Sequence, residues 1–228
     1  MSLTTSIIVF SAKAKLMQKI LDYTRSGYDR FTSGTVEVER LERFVRKMVL
    51  NYHVGLDKHQ RAHRKRLGLG NAVLMLYQTP GTDSILWWLL LSPGDHPATV
   101  AEKLQSTENI TVFGFCLTRE TRRNKERPVA TWGMNSETYQ VWRNAVIEVV
   151  RSKSAYRMAS TLSELYALPG FSGIRRRIGQ LAVLYRAEVK RHGLTGVAPP
   201  TPERLGYVRR LKSTGLSVRQ VVKPSKGK

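Results

Sequence analysis

Apolar residues recur along this chain in two rhythms. Over residues 11–32, Leu16, Ile20 and Tyr23 return at helical spacing with Lys and Arg between them, which predicts a helix. Ser33-Gly34 breaks it, and Thr35 caps a second predicted helix, 36–51. That helix sets Val38, Leu41, Val45, Met48 and Val49 on one face for core packing. The rhythm then changes. NAVLMLYQ (71–78) and SILWWLLLS (84–92) are apolar on both faces and flank the turn TPGTD, so they predict a hairpin of covered strands. After Pro93-Gly94 and a short helix, 98–105, ITVFGFCL (110–117) and VATWGM (129–134) predict a second strand pair.

Helical spacing resumes at Ser136, with Val141, Trp142, Ala145, Val146, Val149 and Val150 on one side. It continues over 155–167 and 173–192, the last with Ile178, Leu181, Tyr185 and Val189 on a common face. Pro199, Pro200 and Pro202 mark a linker before a basic tail. The order α-α-β-β-α-β-β-α-α-α predicts an α+β fold with an antiparallel sheet of about four strands. It suggests one domain over 1–198, helical to 66, sheet-containing over 67–151 and helical over 152–198. A basic arm, 199–228, would follow it.

Composition sharpens the functional expectation. The 228 residues carry a formal net charge of +21, and 41% hydrophobic residues suffice for a folded core. Self-repulsion at that charge points to an anionic partner, first of all DNA or RNA. Charge gathers in 52–70, in 119–128 and beyond 151, while 71–118 is net acidic. Cys116 is the single cysteine and reads as a small buried hydrophobe, so neither a disulfide nor a cysteine zinc site is available within the chain. ILWWLLL (85–91) is too short to span a bilayer, and the N-terminus lacks a signal-peptide pattern. The expectation is a cytoplasmic protein with no membrane partner, no metal and no cofactor.

The stretch YHVGLDKHQRAHRKRLGLG (52–70) carries the most chemistry. His59 and His63 share a helical face at the spacing of two zinc ligands. The glutamate of an HExxH site is missing, and Arg61, Arg64, Lys65 and Arg66 would surround the metal with like charge. Tyr52, His53, His59 and His63 with Lys58 are also residue types for metal-independent RNA cleavage, with imidazoles as acid and base. The plainer reading is a basic surface on which Lys58, Arg61, Arg64, Lys65 and Arg66 meet phosphates.

Other basic segments fit the same use. In PGFSGIRRRIGQLAVLYRAEVKRHG (169–193), Arg175, Arg176 and Arg177 follow a helix start, where cations are unfavourable and an anion would relieve the conflict. Arg186 and Lys190 lie within roughly 100° of Arg175 and Arg176 on a helical wheel. The P-loop pattern is absent. The loop RETRRNKER (119–127) offers Arg119, Arg122, Arg123, Lys125 and Arg127 at a hairpin tip, for a groove or for solvent. The tail offers Arg209, Arg210 and Lys212 as a phosphate-binding arm or a protein-docking segment. The four tryptophans could stack on bases but fit core positions better. His96 reads as structural. Asp57, Asp83 and Asp95 lack a pattern that would hold magnesium.

ILWWLLLSPGDHPATVAEKL, PGFSGIRRRIGQL and LGYVRRL together resemble a group of uncharacterised basic proteins of bacterial plasmids and integrative elements. The resemblance runs from about residue 70 onward. It implies a mobile-element setting and a nucleic-acid context but no activity. The αββαββα order also resembles half of a LAGLIDADG homing endonuclease, without the acidic helix-end motif, a likeness of topology only. The expectation is therefore a nucleic-acid-binding protein that contacts the phosphate backbone as a subunit of a plasmid or mobile-element nucleoprotein complex. The alternatives are a metal-independent endoribonuclease of the CRISPR RNA-processing kind and an interaction subunit that docks an acidic protein.

Overall fold

A computed structural model of the chain describes residues 7–121, 128–208 and 215–222. In chain order it begins with β1 (Ile8–Phe10), α1 (Lys13–Arg25), β2 (Arg30–Glu37), α2 (Val38–Tyr52) and α3 (Lys58–Arg66). The hairpin β3 (Ala72–Gln78) and β4 (Ser84–Leu91) follows, then α4 (Ala98–Ala101) and β5 (Gln105–Ser106). Next come β6 (Thr111–Val112), β7 (Phe115–Glu120), β8 (Val129–Met134), α5 (Ser136–Arg151), α6 (Ala155–Tyr166) and α7 (Ser172–Arg191). β9 (Gly215–Ser217) and α8 (Val218–Val222) close the chain. These elements form two compact units, 7–110 with 215–222, and 111–208, so the division falls inside the stretch that the sequence suggests is one domain.

The fold mixes α and β, with a wider sheet than expected. The first unit holds a six-stranded sheet in the order β5-β2-β4-β3-β1-β9, mixed because β1 runs parallel to β3. Its centre is the expected hairpin, registered from Ala72↔Leu91 to Gln78↔Ile85. Both faces of these strands are apolar because both are covered. Leu74, Leu76, Ile85 and Leu89 join a core with Leu41, Val45 and Met48 of α2 and Val218 and Val221 of α8. Side chains alternate across a strand, so Val73, Met75 and Tyr77 face the other way. α1 packs on β1 and β3 and buries Leu16, Met17, Ile20 and Leu21.

Three expectations for this unit need correction. The helix predicted over 11–32 ends at Arg25, and the Ser33-Gly34 break lies inside β2, which pairs with β4 from Arg30↔Leu91 to Glu37↔Ser84. Gly34 sits under the Trp87 indole, where an added Cβ would lie 2.8 Å from Cζ2, so glycine makes room for an aromatic cross-strand partner. The N-terminal apolar patch is strand β1. Residues 215–222 are no free arm: β9 pairs antiparallel with β1, and α8 is part of the core.

The second unit holds a three-stranded antiparallel sheet, β6-β7-β8, and helices α5 to α7. The single strand predicted over 110–117 reverses at Phe113-Gly114. Both residues have positive φ (53° and 80°), the geometry of a two-residue hairpin turn between Val112 and Phe115. Val146, Val149 and Val150 of α5 meet Met158 and Leu162 of α6 and Tyr185 and Val189 of α7, as the helical spacing predicts, but Val141, set on the same side by that spacing, is exposed. The proline-containing stretch 199–208 is likewise no free linker. It runs back along α7: Tyr185 Oη donates to Pro199 O (2.8 Å), Arg186 to Thr201 Oγ1 (2.9 Å), and Val208 N to Gly170 O (3.2 Å). Among the described residues no helix is long and apolar enough to cross a membrane.

Because α8 fills the α2 side of the sheet, the double variant Val218→Ala, Val221→Ala is expected to lose about 2–4 kcal/mol of stability. Urea unfolding measures the loss, whereas a free tail would show none.

Candidate nucleic-acid interface

The site begins with how α3 is held. Asp57 closes a capping box with Gln60: its Oδ1 accepts from Gln60 N (2.8 Å), and Gln60 Oε1 accepts from Asp57 N (2.9 Å). Arg61 donates to the Tyr23 hydroxyl (3.2 Å), and its guanidinium lies 5.8 Å from that ring's centre. Arg64 donates twice to Gly70 O (3.3 and 3.0 Å), and Asn71 Nδ2 donates to Arg61 O (3.1 Å). Arg61 and Arg64 therefore face the protein. At 100° per residue, Lys65, Lys58, Ala62, Arg66, His59 and His63 fill the arc from about 40° to about 200° away from Arg61, and all are exposed. The helix contains no acid, and among the described residues none of these outward cations has an ion pair.

The structure does not gather the histidine set. The Tyr52 side chain is buried and its hydroxyl donates to Glu102 Oε1 (2.5 Å). Burial, then the hydrogen bond and the charge of Glu102, push the phenol up to about 12. Its neutral form supports the fold fully below pH 10 and stops doing so as pH rises through 12. His53 is exposed in a left-handed conformation (φ 49°) just after α2. His59 and His63 point to solvent, where among the described residues no carboxylate or carbonyl orients either ring. Three His, Cys, Asp or Glu side chains placed to hold a metal are not found among the described residues.

His96 is structural. Its Nδ1 accepts from Ala98 N (3.2 Å), which leaves Nε2 to donate to Tyr52 O (3.2 Å). Burial holds its pKa below the ordinary value.

α2 supplies cations that its apolar face hides in the sequence. Arg40, Arg43, Arg46 and Lys47 are exposed on its outer side, beside Glu39 and the 70% exposed Leu50. The signal was the i, i+3, i+7 spacing of Arg40, Arg43 and Lys47 opposite the core stripe.

The α7 arginines are differently placed. Arg175 donates to Leu205 O (2.9 Å) and stacks 3.5 Å from the centre of the Tyr207 ring. Arg176 pairs with Glu120 (3.2 Å). Arg177 lies 4.8 Å from the Tyr139 ring centre and donates to Gln180 (3.0 Å). The arginines at the start of α7 thus meet the chain's own carbonyl, carboxylate and rings. Ser172 bonds Thr131, and Gly173 lies so close to Trp132 O that a Cβ would come within 2.6 Å. Arg186 and Lys190 are exposed farther along α7, and Arg119 is exposed on β7. Arg122, Arg123, Lys125, Arg127, Arg209, Arg210 and Lys212 lie outside the described residues.

The remaining candidates are structural. Trp88 and Trp132 are buried, and Trp87 packs against Phe44 (5.2 Å). Asp57 caps α3. Cys116 is half-buried on β7, and burial raises its thiol pKa. Comparison with protein-family models, curated proteins and solved structures finds no match to this chain.

A histidine with a lowered folded pKa contributes stability that is complete above its ordinary value of 6.5 and is lost as pH falls below it, because the unfolded chain then takes up a proton that the folded chain resists. His96→Gln is therefore expected to flatten the fall in stability between about pH 7 and pH 5, as read by urea unfolding at each pH.

Proposed function

We propose that this chain binds nucleic acid through the phosphate backbone, with the outer arc of α3 as its main contact. The observation that carries this reading is the unpaired set Lys58, Lys65 and Arg66, flanked by exposed His59 and His63 on a helix without an acid. These cations have no acid on their own helix to neutralise them. They gain counterion release when they meet closely spaced phosphates. Arg40, Arg43, Arg46 and Lys47 on α2 enlarge the basic surface of the same unit.

The reading is of binding rather than cleavage. A general acid or base works best with its ring held in one tautomer and orientation, and neither His59 nor His63 is so held. Tyr52, the phenol of the alternative set, is buried against Glu102. The resemblance of the 85–104, 169–181 and 205–211 segments to plasmid and integrative-element proteins supports a place in a mobile-element nucleoprotein complex.

The test is fluorescence anisotropy with labelled nucleic acid over a salt series. Affinity is expected to fall linearly on a log–log plot. The variant Lys58→Ala, Lys65→Ala, Arg66→Ala should reduce the slope by about 2–3 for duplex DNA, with the fold intact. Labelled RNA incubated in EDTA should stay whole on a denaturing gel. No binding at moderate salt would defeat the proposal in favour of docking to an acidic protein.

A further inference from the structure

The first unit also contains a cavity of about 200 Å³ at the junction of α1, the paired strands β1 and β3, and α3. Its floor is apolar, from Phe10, Val73 and Met75, and its polar wall is Lys19, Tyr23 and Arg61. The wall is positive. Among the described residues Arg61 has only the neutral Tyr23 hydroxyl as a side-chain partner, and Lys19 has no ion pair. The Tyr23 oxygen accepts from Arg61, which leaves its own proton to donate. Tyr28 meets the Tyr23 ring edge-on at 5.1 Å and helps fix its plane.

An apolar floor beside two unneutralised cations suits a flat, uncharged ring that carries a negative group at one end. The volume admits one ring system and not a base pair. α3 adds direction, because the helix that turns Lys58, Lys65 and Arg66 outward turns Arg61 inward to the cavity wall. On the α3 wheel Lys65 and Lys58 stand about 40° and 60° from Arg61, the outward cations nearest the cavity wall.

We infer that this cavity takes one unstacked nucleotide of a bound single strand, with its base on the Phe10–Val73–Met75 floor and its phosphate between Lys19 and Arg61. The inference rests on the nucleic-acid reading and adds a strand preference to it. Bases in a duplex are stacked and paired and would have to be pulled out to enter, whereas those of a single strand are free to do so.

The experiment compares the full chain with two variants. Leu56→Trp fills the cavity from the 53–57 loop, and Lys19→Met removes one charge but keeps the aliphatic stem. Each is titrated by anisotropy against a single strand of about 20 nucleotides and a hairpin duplex with the same number of phosphates, as DNA and as RNA. The wild-type chain should favour the single strand by about tenfold. Both variants should lose that preference and keep duplex affinity, and the DNA and RNA arms identify which strand is taken. Equal affinity of the wild type for both forms, or a full preference kept by variants that still bind duplex, overturns the inference and leaves the phosphate-binding reading standing. Loss of duplex binding by Leu56→Trp marks a damaged fold, and the same comparison with Lys19→Met then decides. If the wild type binds neither form, the nucleic-acid reading itself falls, and this inference with it.

Discussion

The first unit depends on one hairpin that cannot be left uncovered. β3 and β4 are apolar on both faces, so each face needs a lid. α2 and α8 form one and α1 the other. The hairpin also offers two edges, which β2 and β1 take. Even α3, with no buried residue of its own, is fixed at the entrance to β3, through Gly70 O and Asn71. The exposed basic arc is therefore carried on the most buried part of the sheet.

Net charge gives a poor map of binding capacity, because the structure separates the cations into two kinds. In the second unit Arg175, Arg176 and Arg177 are tied by a carbonyl, a carboxylate and aromatic rings. Moving them to a phosphate would forfeit those contacts. In the first unit the outer cations of α2 and α3 have no ion pair to break among the described residues. Three adjacent arginines drew attention in the sequence, while the spaced ones on α2 did not. Sequence proximity measures local repulsion, whereas availability depends on partners such as Leu205, 30 residues from Arg175.

What the sequence disclosed follows the same logic. The β3–β4 hairpin was legible because Pro80-Gly81 separates two unbroken apolar runs, and α5 to α7 because their periodicity is long and regular. β2 was not, since Gly34 next to Ser33 reads as a breaker until Trp87 is seen lying across it. β1 and β9 have three residues each and gain their hydrogen bonds from distant partners, so neither leaves a local pattern. The turn at Phe113-Gly114 was hidden by an aromatic residue at positive φ, an uncommon placement. At the site, α3 and its cations were legible. The inward turn of Arg61 and Arg64 was not, because it depends on Tyr23 and Gly70.

The pairing of β9 with β1 joins segments far apart in the chain that are made at different times. A ribosome delivers β1 well before β9, with all of the second unit in between. Until then the β1 edge has open hydrogen-bonding groups, the kind of edge that recruits foreign strands. Completion of the first unit therefore waits until β9 has been made, and a chain cut anywhere between residue 110 and β9 leaves the basic helix α3 standing on an unfinished sheet.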